Sequence, residues 1–370
     1  MTVRRAPRIL MAAGGTGGHV YPALAIADAV RALDPGAVIE FAGTNRRMEW
    51  DEVPKGGYAI HAIEAAGFDR RRLLANLGVP FKVFRGVLQA WRLVGDFDAD
   101  VVVATGGFVT GPMGLAAAAR RRPLLIQEQN AYAGVTNRWL SRFAARIHVA
   151  FAEAAAAFGA DRVILSGNPV RANIVGASRV EARRFFGLPD DARVLFVFGG
   201  SLGSEALNQA LENGISELLT LPGVHVLWQT GARYHDRIQA SARSTPRVHV
   251  LCYVDRMDLA YAAADVVLGR AGAITCSELL ATGTPSILVP SPNVAEDHQA
   301  HNAGSMERLG AARSLPESRL ESEWVGAVRD LLTDAEARAR MRASALDHAP
   351  RGVAERIARD VLDLADTRRP

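Results

Sequence analysis

Apolar positions along this chain gather into short, β-branched runs separated by longer stretches with helical spacing. Such runs stand at Ile9–Ala13, Val38–Ala42, Ala59–Ile63, Val101–Ala104, Leu124–Gln127, Ile147–Ala150 and Val163–Leu165. Strands that are apolar at successive positions, alternating with helices, predict a parallel sheet covered on both faces. The pattern pauses near Gly167-Asn168-Pro169 and restarts after Gly187-Leu188-Pro189. A new strand, Val194–Phe198, runs into a glycine loop, Gly199-Gly200-Ser201-Leu202-Gly203, and a helix from Glu205. Further strands are expected at Val224–Gln229, Val248–Tyr253, Val266–Gly269 and Ser286–Val289. The fold class is therefore α/β: two doubly wound, Rossmann-like domains facing each other across a cleft, with ligand at the carboxyl ends of the strands. The expected boundaries are 1–168 and 169–349. An amphipathic helix over 350–366, carrying Val353, Ile357, Ala358, Val361 and Leu362, is expected to pack back on the first domain.

The restart repeats the opening of the chain, where Ile9–Ala13 leads into Gly14-Gly15-Thr16-Gly17-Gly18-His19 and a helix expected from Tyr21. Glycines free the backbone at such a junction, and a helix N-terminus favours an anion there. Pro22 suits a first helical turn. Val20 stands where a dinucleotide fingerprint needs its third glycine, and no Gly-Lys-Ser/Thr triplet follows, so neither common nucleotide loop is present. His19 places a titratable imidazole at the mouth of this loop.

Three further segments carry candidate chemistry. Thr105-Gly106-Gly107-Phe108-Val109-Thr110-Gly111-Pro112 forms a second glycine loop at the same expected sheet edge. Gln127-Glu128-Gln129-Asn130 ends a strand with four polar side chains, expected to face the crevice. Arg270–Ser277 leads from a strand into a helix with Glu278 just inside it, where a carboxylate can accept hydrogen bonds from the vicinal hydroxyls of a ribose. Asp297-His298-Gln299, with Asn302 one turn on, offers hydrogen-bonding groups suited to sugar hydroxyls.

Composition narrows the class. The chain has 370 residues, 49% hydrophobic and 22% charged, which is the balance of a globular protein of two domains. A net charge of +4, without a concentrated basic face, speaks against nucleic-acid binding. Cys252 and Cys276 have neither metal nor disulfide spacing, consistent with a reducing compartment. Arg4, Arg5 and Arg8 precede an apolar run that ends at Gly14, too short for a signal-peptide core or a membrane span, so a cytoplasmic protein is expected. Asp96-Phe97-Asp98 and Asp98-Ala99-Asp100 have the spacing of a metal-binding Asp-x-Asp pair. They precede the strand Val101–Ala104 at its N-terminal end, away from the expected site, and no metal or other cofactor is expected.

Gly14–Pro22, Gly106–Pro112, Glu128–Asn130, Gly167–Arg171, Gly199–Ser201, Arg270–Glu278 and Asp297–Ala303 occur in one order across nearly the whole chain. In that order they resemble the MurG family of peptidoglycan N-acetylglucosaminyltransferases, which have the two-domain GT-B fold. The resemblance implies transfer of GlcNAc, with inversion, from UDP-GlcNAc to the MurNAc 4-hydroxyl of lipid I, undecaprenyl-diphospho-MurNAc-pentapeptide, giving lipid II. It implies donor contacts at Thr16, Gly17, Gly18, Asn130, Arg171, Ser201, Val254, Ala273, Ile274, Thr275, Cys276, Ser277, Glu278, His298 and Gln299. Glu278 would hold the ribose, Ser201 a phosphate, the main chain near Val254 the uracil, and Gln299 with His298 the sugar. Gly106, Gly107, Phe108 and Gly111 would form the acceptor loop. His19 and Glu128 are the candidates for the catalytic base. Gln127 stands where many relatives have histidine, and Leu202 where some have glutamine. The first domain would then face acceptor and membrane, the second bind UDP-GlcNAc. The enzyme would sit on the cytoplasmic face of the bacterial cell membrane as a peripheral protein, with cell-wall synthesis proteins as partners.

A basic and apolar stretch fits a membrane-bound substrate. Arg70-Arg71-Arg72 precedes Leu73, and Leu74, Leu77, Phe81, Phe84, Leu88 and Trp91 recur at steps of three and four, interleaved with Lys82, Arg85 and Arg92. That is the pattern of a helix lying on an anionic bilayer, and equally of any helix facing a core. Gly78 and Pro80 interrupt it. Two other readings remain open: a UDP-GlcNAc 2-epimerase on the same frame, and a non-catalytic nucleotide-sugar sensor.

Overall fold

The computed structural model describes residues 5–44, 47–65, 79–242 and 245–367. The chain divides into two compact units, Met1–Arg171 with Pro350–Pro370, and Ala172–Ala349. Among the described residues, unit 1 carries seven parallel strands: β1 (Arg8–Ala13), β2 (Val38–Gly43), β3 (Ala59–Ala62), β4 (Val101–Gly106), β5 (Leu124–Glu128), β6 (Arg146–Val149) and β7 (Val163–Leu165). Their order in the sheet is β3-β2-β1-β4-β5-β6-β7. The chain winds outward from β1 in one direction, then returns to place β4 on its other side. The carboxyl ends of β1 and β4 thus flank the point where the winding reverses, which is where α/β sheets open a crevice.

Alternation along the central strands feeds two separate cores. Leu10, Ala12, Val102 and Ala104 point to one face, against Ala90, Val94, Met113, Ala116 and Leu140. Ile9, Met11, Val101 and Val103 point to the other, against Val20, Ile26 and Val30 of the helix Gly17–Leu33. The helix Val353–Asp366 joins that second core through Val353, Ile357, Ala358, Val361 and Leu364. Polar contacts fasten the same helix. Arg146 pairs with Asp360, and the buried His148 has its Nε2 3.0 Å from the second Asp360 oxygen.

Unit 2 repeats the plan with β8 (Arg193–Phe198), β9 (Val224–Gln229), β10 (Val248–Leu251), β11 (Val266–Gly269), β12 (Ser286–Leu288) and β13 (Arg313–Ser314), in the order β10-β9-β8-β11-β12-β13. Here the winding reverses between β8 and β11. Leu195, Val197, Val226, Trp228, Leu268 and Ile287 pack against Leu207, Leu211, Trp324 and Val328 of the covering helices.

Two local expectations need correction. The first helix begins at Gly17, four residues before Tyr21, because the amides of His19 and Val20 already bond to the Thr16 carbonyl at 3.0 and 3.2 Å. Pro22 consequently lies in the second turn, inside the helix. The two-residue strand Arg313–Ser314 was not expected, since it carries no apolar run. Arg70–Arg72, Leu73, Leu74, Leu77 and Gly78 lie outside the described residues.

Candidate active site

In unit 1 the loops after β1, β4 and β5 share one edge of the sheet. The β1 loop and the β4 loop meet through backbone. Gly107, at φ 85°, lies so close to Gly14 that a Cβ would collide with the Gly14 carbonyl. Gly106, at φ 122°, presents its backbone to His19, whose Cδ2 would lie 2.5 Å from a Cβ there. Thr105 Oγ1 donates to the His19 carbonyl at 2.9 Å, and Thr110 Oγ1 accepts from Gly106 N at 3.1 Å. His19 is thus half-buried in the first turn of its helix, its ring resting on the second glycine loop. Thr16, Gly17 and Gly18 lie immediately before it, and Phe108 is exposed at the tip of the β4 loop. Gly111 belongs to the helix Thr110–Ala119. Arg171 stacks on Tyr21 with its guanidinium carbon 5.3 Å from the ring centroid, which brings it beside the β1 loop.

The strand end at Gln127–Asn130 differs from expectation. Gln127, Glu128 and Gln129 do not face a crevice; all three are buried and spent on internal bonds. Gln127 Nε2 donates to Asn168 Oδ1 at 2.8 Å, Asn168 Nδ2 donates to the Gln129 carbonyl at 3.0 Å, and Gln129 Nε2 reaches the Thr105 carbonyl. The Glu128 carboxylate accepts four bonds: from Asn130 N at 3.0 Å and Asn130 Nδ2 at 3.2 Å on one oxygen, and from Gly134 N at 3.1 Å and Asn137 Nδ2 at 2.8 Å on the other. A carboxylate with about four acceptor sites is then fully occupied. The geometry gives Glu128 the task of shaping the 128–137 turn and holding Asn130, which is half-exposed.

Glu49 was missed by sequence reasoning. Nothing in its spacing from the loop marks it, yet its wholly buried carboxylate accepts from Gly15 N at 3.1 Å and from Thr44 N at 3.0 Å.

In unit 2 the loops after β8 and β11 flank the reversal of winding. Gly203, at φ 77°, approaches the Thr230 carbonyl too closely for any Cβ, and Gln229 Nε2 donates to the Gly200 carbonyl at 2.9 Å. Between these anchors Ser201 and Leu202 stand exposed. Arg270 is an internal staple: Nη2 donates to Ser204 Oγ at 2.7 Å, Nη1 to the Val289 carbonyl at 3.2 Å, and the guanidinium pairs with Glu317. The helix Ala273–Thr282 follows, capped by Gly272, with Ala273, Ile274 and Thr275 in its first turn.

Glu278 lies deeper than expected. It is in the second turn rather than at the helix start, buried, and accepts from Tyr261 Oη at 2.9 Å. Cys276 also turns inward: its side chain is fully buried, and burial pushes the thiol up to about 12. Ser277 Oγ donates back to the Ala273 carbonyl at 3.0 Å. The Cys276 amide is also taken, donating to the Gly272 carbonyl at 2.9 Å. The Val254 side chain is likewise buried, leaving its main chain. His298 opens the helix His298–Arg308, preceded by Glu296 and Asp297 at φ 54° and 51°. Gln299 Oε1 accepts from Ser291 N at 2.9 Å.

The aromatic stripe on the helix Val79–Asp96 faces solvent. Phe81, Phe84, Leu88 and Trp91 are 64%, 61%, 42% and 45% exposed, while Ala90 and Val94 on the opposite side are buried. Arg85 lies 5.8 Å from the Phe81 ring centroid and pairs with Glu64 at 3.0 Å; Arg120 stacks on Trp91 at 3.8 Å. No helix among the described residues is long and apolar enough to cross a membrane. Asp98 and Asp100 are turned to other work. Asp98 pairs with Arg5 at 2.5 Å and Arg122 at 2.9 Å, the Arg5 guanidinium foremost in holding its carboxyl below the usual range, and Asp100 accepts from Arg8 N at 2.9 Å. Among the described residues no group of three or more His, Cys, Asp or Glu side chains is placed to hold a metal ion.

Residues 9–149 match the glycosyltransferase family 28 N-terminal domain and residues 194–357 the C-terminal domain of the same family. A Salinibacter ruber protein named UDP-N-acetylglucosamine–N-acetylmuramyl-(pentapeptide) pyrophosphoryl-undecaprenol N-acetylglucosamine transferase is 55% identical over 98% of each chain. A Cytophaga hutchinsonii protein of the same name is 39% identical over 98% of each. The crystal structure of Acinetobacter baumannii MurG superposes with a TM-score of 0.77 at 29% identity, covering 97% of this chain and 99% of that one. The chain belongs to the MurG family. The crystal structure of a Listeria monocytogenes protein named a putative UDP-N-acetylglucosamine 2-epimerase matches at TM-score 0.72 but 13% identity, which is a likeness of fold alone.

For a MurG-family chain with this geometry, the inward turn of Cys276 has a direct readout. A thiol reagent applied to the native protein near pH 8 should label Cys252, which is partly exposed, and leave Cys276 unmodified until denaturant is added. Rapid native labelling of Cys276 would contradict the placement of the Ala273–Thr282 helix.

Proposed function

We propose that this chain is an inverting glycosyltransferase. It moves GlcNAc from UDP-GlcNAc to the MurNAc 4-hydroxyl of undecaprenyl-diphospho-MurNAc-pentapeptide, lipid I, and so forms lipid II for peptidoglycan. The observation that carries this is 55% identity over 98% of the chain to a transferase of that name, joined to a glycine loop at the reversal point of each unit's sheet. An epimerase would need no lipid-linked acceptor, and its support is fold likeness at 13% identity.

The chemistry is a single displacement. The acceptor oxygen bonds to the anomeric carbon as the bond to the UDP oxygen breaks, and the acceptor proton must leave with a base. His19 is our choice for that base: an imidazole is the usual proton acceptor in such chemistry, and the ring is held on the Gly106 backbone at the edge of unit 1. The departing diphosphate gains charge, which backbone amides of the 199–203 loop and the N-terminus of the Ala273–Thr282 helix can stabilise, with Ser201 adding a hydroxyl. Glu278, oriented by Tyr261, would take the ribose hydroxyls. The main chain at Val254 would meet the uracil, and His298 and Gln299 the sugar. Thr16, Gly17, Gly18, Asn130 and Arg171 would be further donor contacts, with Gly106, Gly107, Phe108 and Gly111 on the acceptor. The exposed stripe on Val79–Asp96 would rest on the anionic cytoplasmic face of the bacterial membrane, where a polyprenyl-linked substrate resides. There the protein would be peripheral and within reach of other cell-wall synthesis proteins.

With UDP-GlcNAc and a lipid I analogue, His19→Ala should cut turnover by about 10²-fold or more and leave UDP affinity nearly intact. Turnover that survives in this variant would remove His19 from the chemistry. Glu278→Ala should weaken UDP and UDP-GlcNAc alike, by about ten- to a hundredfold, since hydrogen bonds to a charged acceptor contribute about 1.5–3 kcal/mol. Unchanged UDP affinity by calorimetry would sink the ribose assignment. Replacing Phe81, Phe84 and Trp91 together with serine should leave the protein folded, because all three are exposed, and should abolish sedimentation with anionic vesicles. A folded triple variant that still binds such vesicles would refute the membrane contact.

A further inference from the structure

Glu49 is a fully buried carboxylate touching the loop that carries His19, and the displacement described above gives it no task. It opens the helix Glu49–Lys55, where an acid is favourable in the first turn. That alone would leave it at the surface. Instead its side chain runs inward along Gly43 and Gly14, its Cγ within 2.9 Å of where a Gly43 Cβ would be and its Oε1 within 3.1 Å of a Gly14 Cβ. Oε1 accepts from Thr44 N at 3.0 Å and Thr44 Oγ1 at 2.5 Å; Oε2 accepts from Gly15 N at 3.1 Å. Thr44 follows β2 and Gly15 follows β1, so one carboxylate laces together the ends of two neighbouring strands.

The loop from Gly14 to His19 is then fixed at three places. Glu49 holds the Gly15 amide, the backbone of Gly107 bears on Gly14, and Thr105 Oγ1 holds the His19 carbonyl. The last two come from β4 and its loop, and by themselves they leave the loop tethered on one side only. Glu49 supplies the opposing tether from the β2 side. Gly15 stands at φ 96°, a conformation with much freedom in a glycine, and a held amide removes that freedom where it matters.

We propose that Glu49 is the positioning residue for His19, acting through the Gly15 amide. This rests on the reading of His19 as the base. A base must lie within hydrogen-bond reach of the acceptor hydroxyl, and displacement by about 1 Å can cost on the order of 10²-fold in rate.

The test is a double-mutant cycle on the full chain, assayed with UDP-GlcNAc and a lipid I analogue. In Glu49→Gln the NH₂ opposes the Gly15 amide in one orientation and the Thr44 amide in the other, so the side chain no longer ties both strand ends at once. The variant's kcat should fall by about tenfold or more, and KM for UDP-GlcNAc should change by less than kcat, although Thr16–Gly18 share the loop. Trp50→Phe is the control for damage to the same turn. It removes the bond from Trp50 Nε1 to the Thr44 carbonyl and should lower Tm with kcat within about twofold of the parent. In a His19→Ala background, Glu49→Gln should cost less than about twofold further, because residues acting through one another are not additive. Were Glu49→Gln not to fold, Glu49→Asp takes its place: it keeps the charge but draws back from Gly15, and the same loss of kcat is expected. A folded Glu49 variant with parental kcat, or an undiminished penalty in the His19→Ala background, would overturn the proposal. Parental turnover in His19→Ala alone would instead overturn the base assignment, whatever Glu49 does.

Discussion

At the carboxyl edge of each sheet, beside the point where the winding reverses, loop packs on loop through backbone rather than side chains: the loop after β4 on the loop after β1 in unit 1, and the loop after β8 on the end of β9 in unit 2. Gly107 against the Gly14 carbonyl, and Gly203 against the Thr230 carbonyl, are approaches that no Cβ survives. Everything proposed for the site hangs from these contacts. His19 lies where it does because Gly106 and Gly107 let the β4 loop come up beneath it. Ser201 and Leu202 stand out from unit 2 because Gly203, Gly200 and Gln229 hold the loop on either side of them. Substituting either close-contact glycine would therefore move a whole loop, not a single side chain.

Buried carboxylates add a second level of order. Glu49, Glu128 and Glu278 all lie inside, and each accepts hydrogen bonds from neutral donors: backbone amides and a threonine hydroxyl, asparagine amides and loop backbone, a tyrosine hydroxyl. Acids elsewhere are handled differently. Asp98 is gripped by Arg5 and Arg122, and Asp265 by Arg179 at 2.6 Å. An arginine partner would cancel the charge, whereas neutral donors spread it over several oriented dipoles and make each a fixed point in a loop. In a buried site that is a costly arrangement unless every lone pair is met, and Glu128, with four donors, meets that condition.

Much of this was legible in the chain. Every strand expected from an apolar run is present within a residue or two, because a strand buried on both faces must be apolar at consecutive positions, and such runs are hard to mistake. The family likewise followed from motifs spread over nearly the whole length. What stayed hidden has one physical character: the sequence pattern records that a polar residue is present, not which way it points. Glu128 and Glu278 look like crevice-facing acids until Asn130 and Asn137 of the turn that follows the one, and Tyr261 from 17 residues upstream of the other, turn them inward. Glu49 carries no local signal at all, since its partner Gly15 lies 34 residues away. The stripe from Phe81 to Trp91 announced one apolar helix face; that Ala90 and Val94 on the other side make the core could only be read from tertiary packing.

That exposed face sets the strength of the proposed membrane contact. Fully burying a large apolar side chain is worth about 1.5–3 kcal/mol. Phe81, Phe84, Leu88 and Trp91 are each roughly half exposed, so together they would yield on the order of 4 kcal/mol. Lys82 and Arg92 are exposed beside them and would add about 1 kcal/mol each on an anionic surface. Arg85, already paired with Glu64, would add less. The total corresponds to dissociation in roughly the ten-to-hundred-micromolar range, which is reversible binding. An enzyme held this loosely can exchange its donor in solution and leave its lipid-linked product. It would stay longest where the acceptor itself, anchored in the same surface, contributes the second attachment.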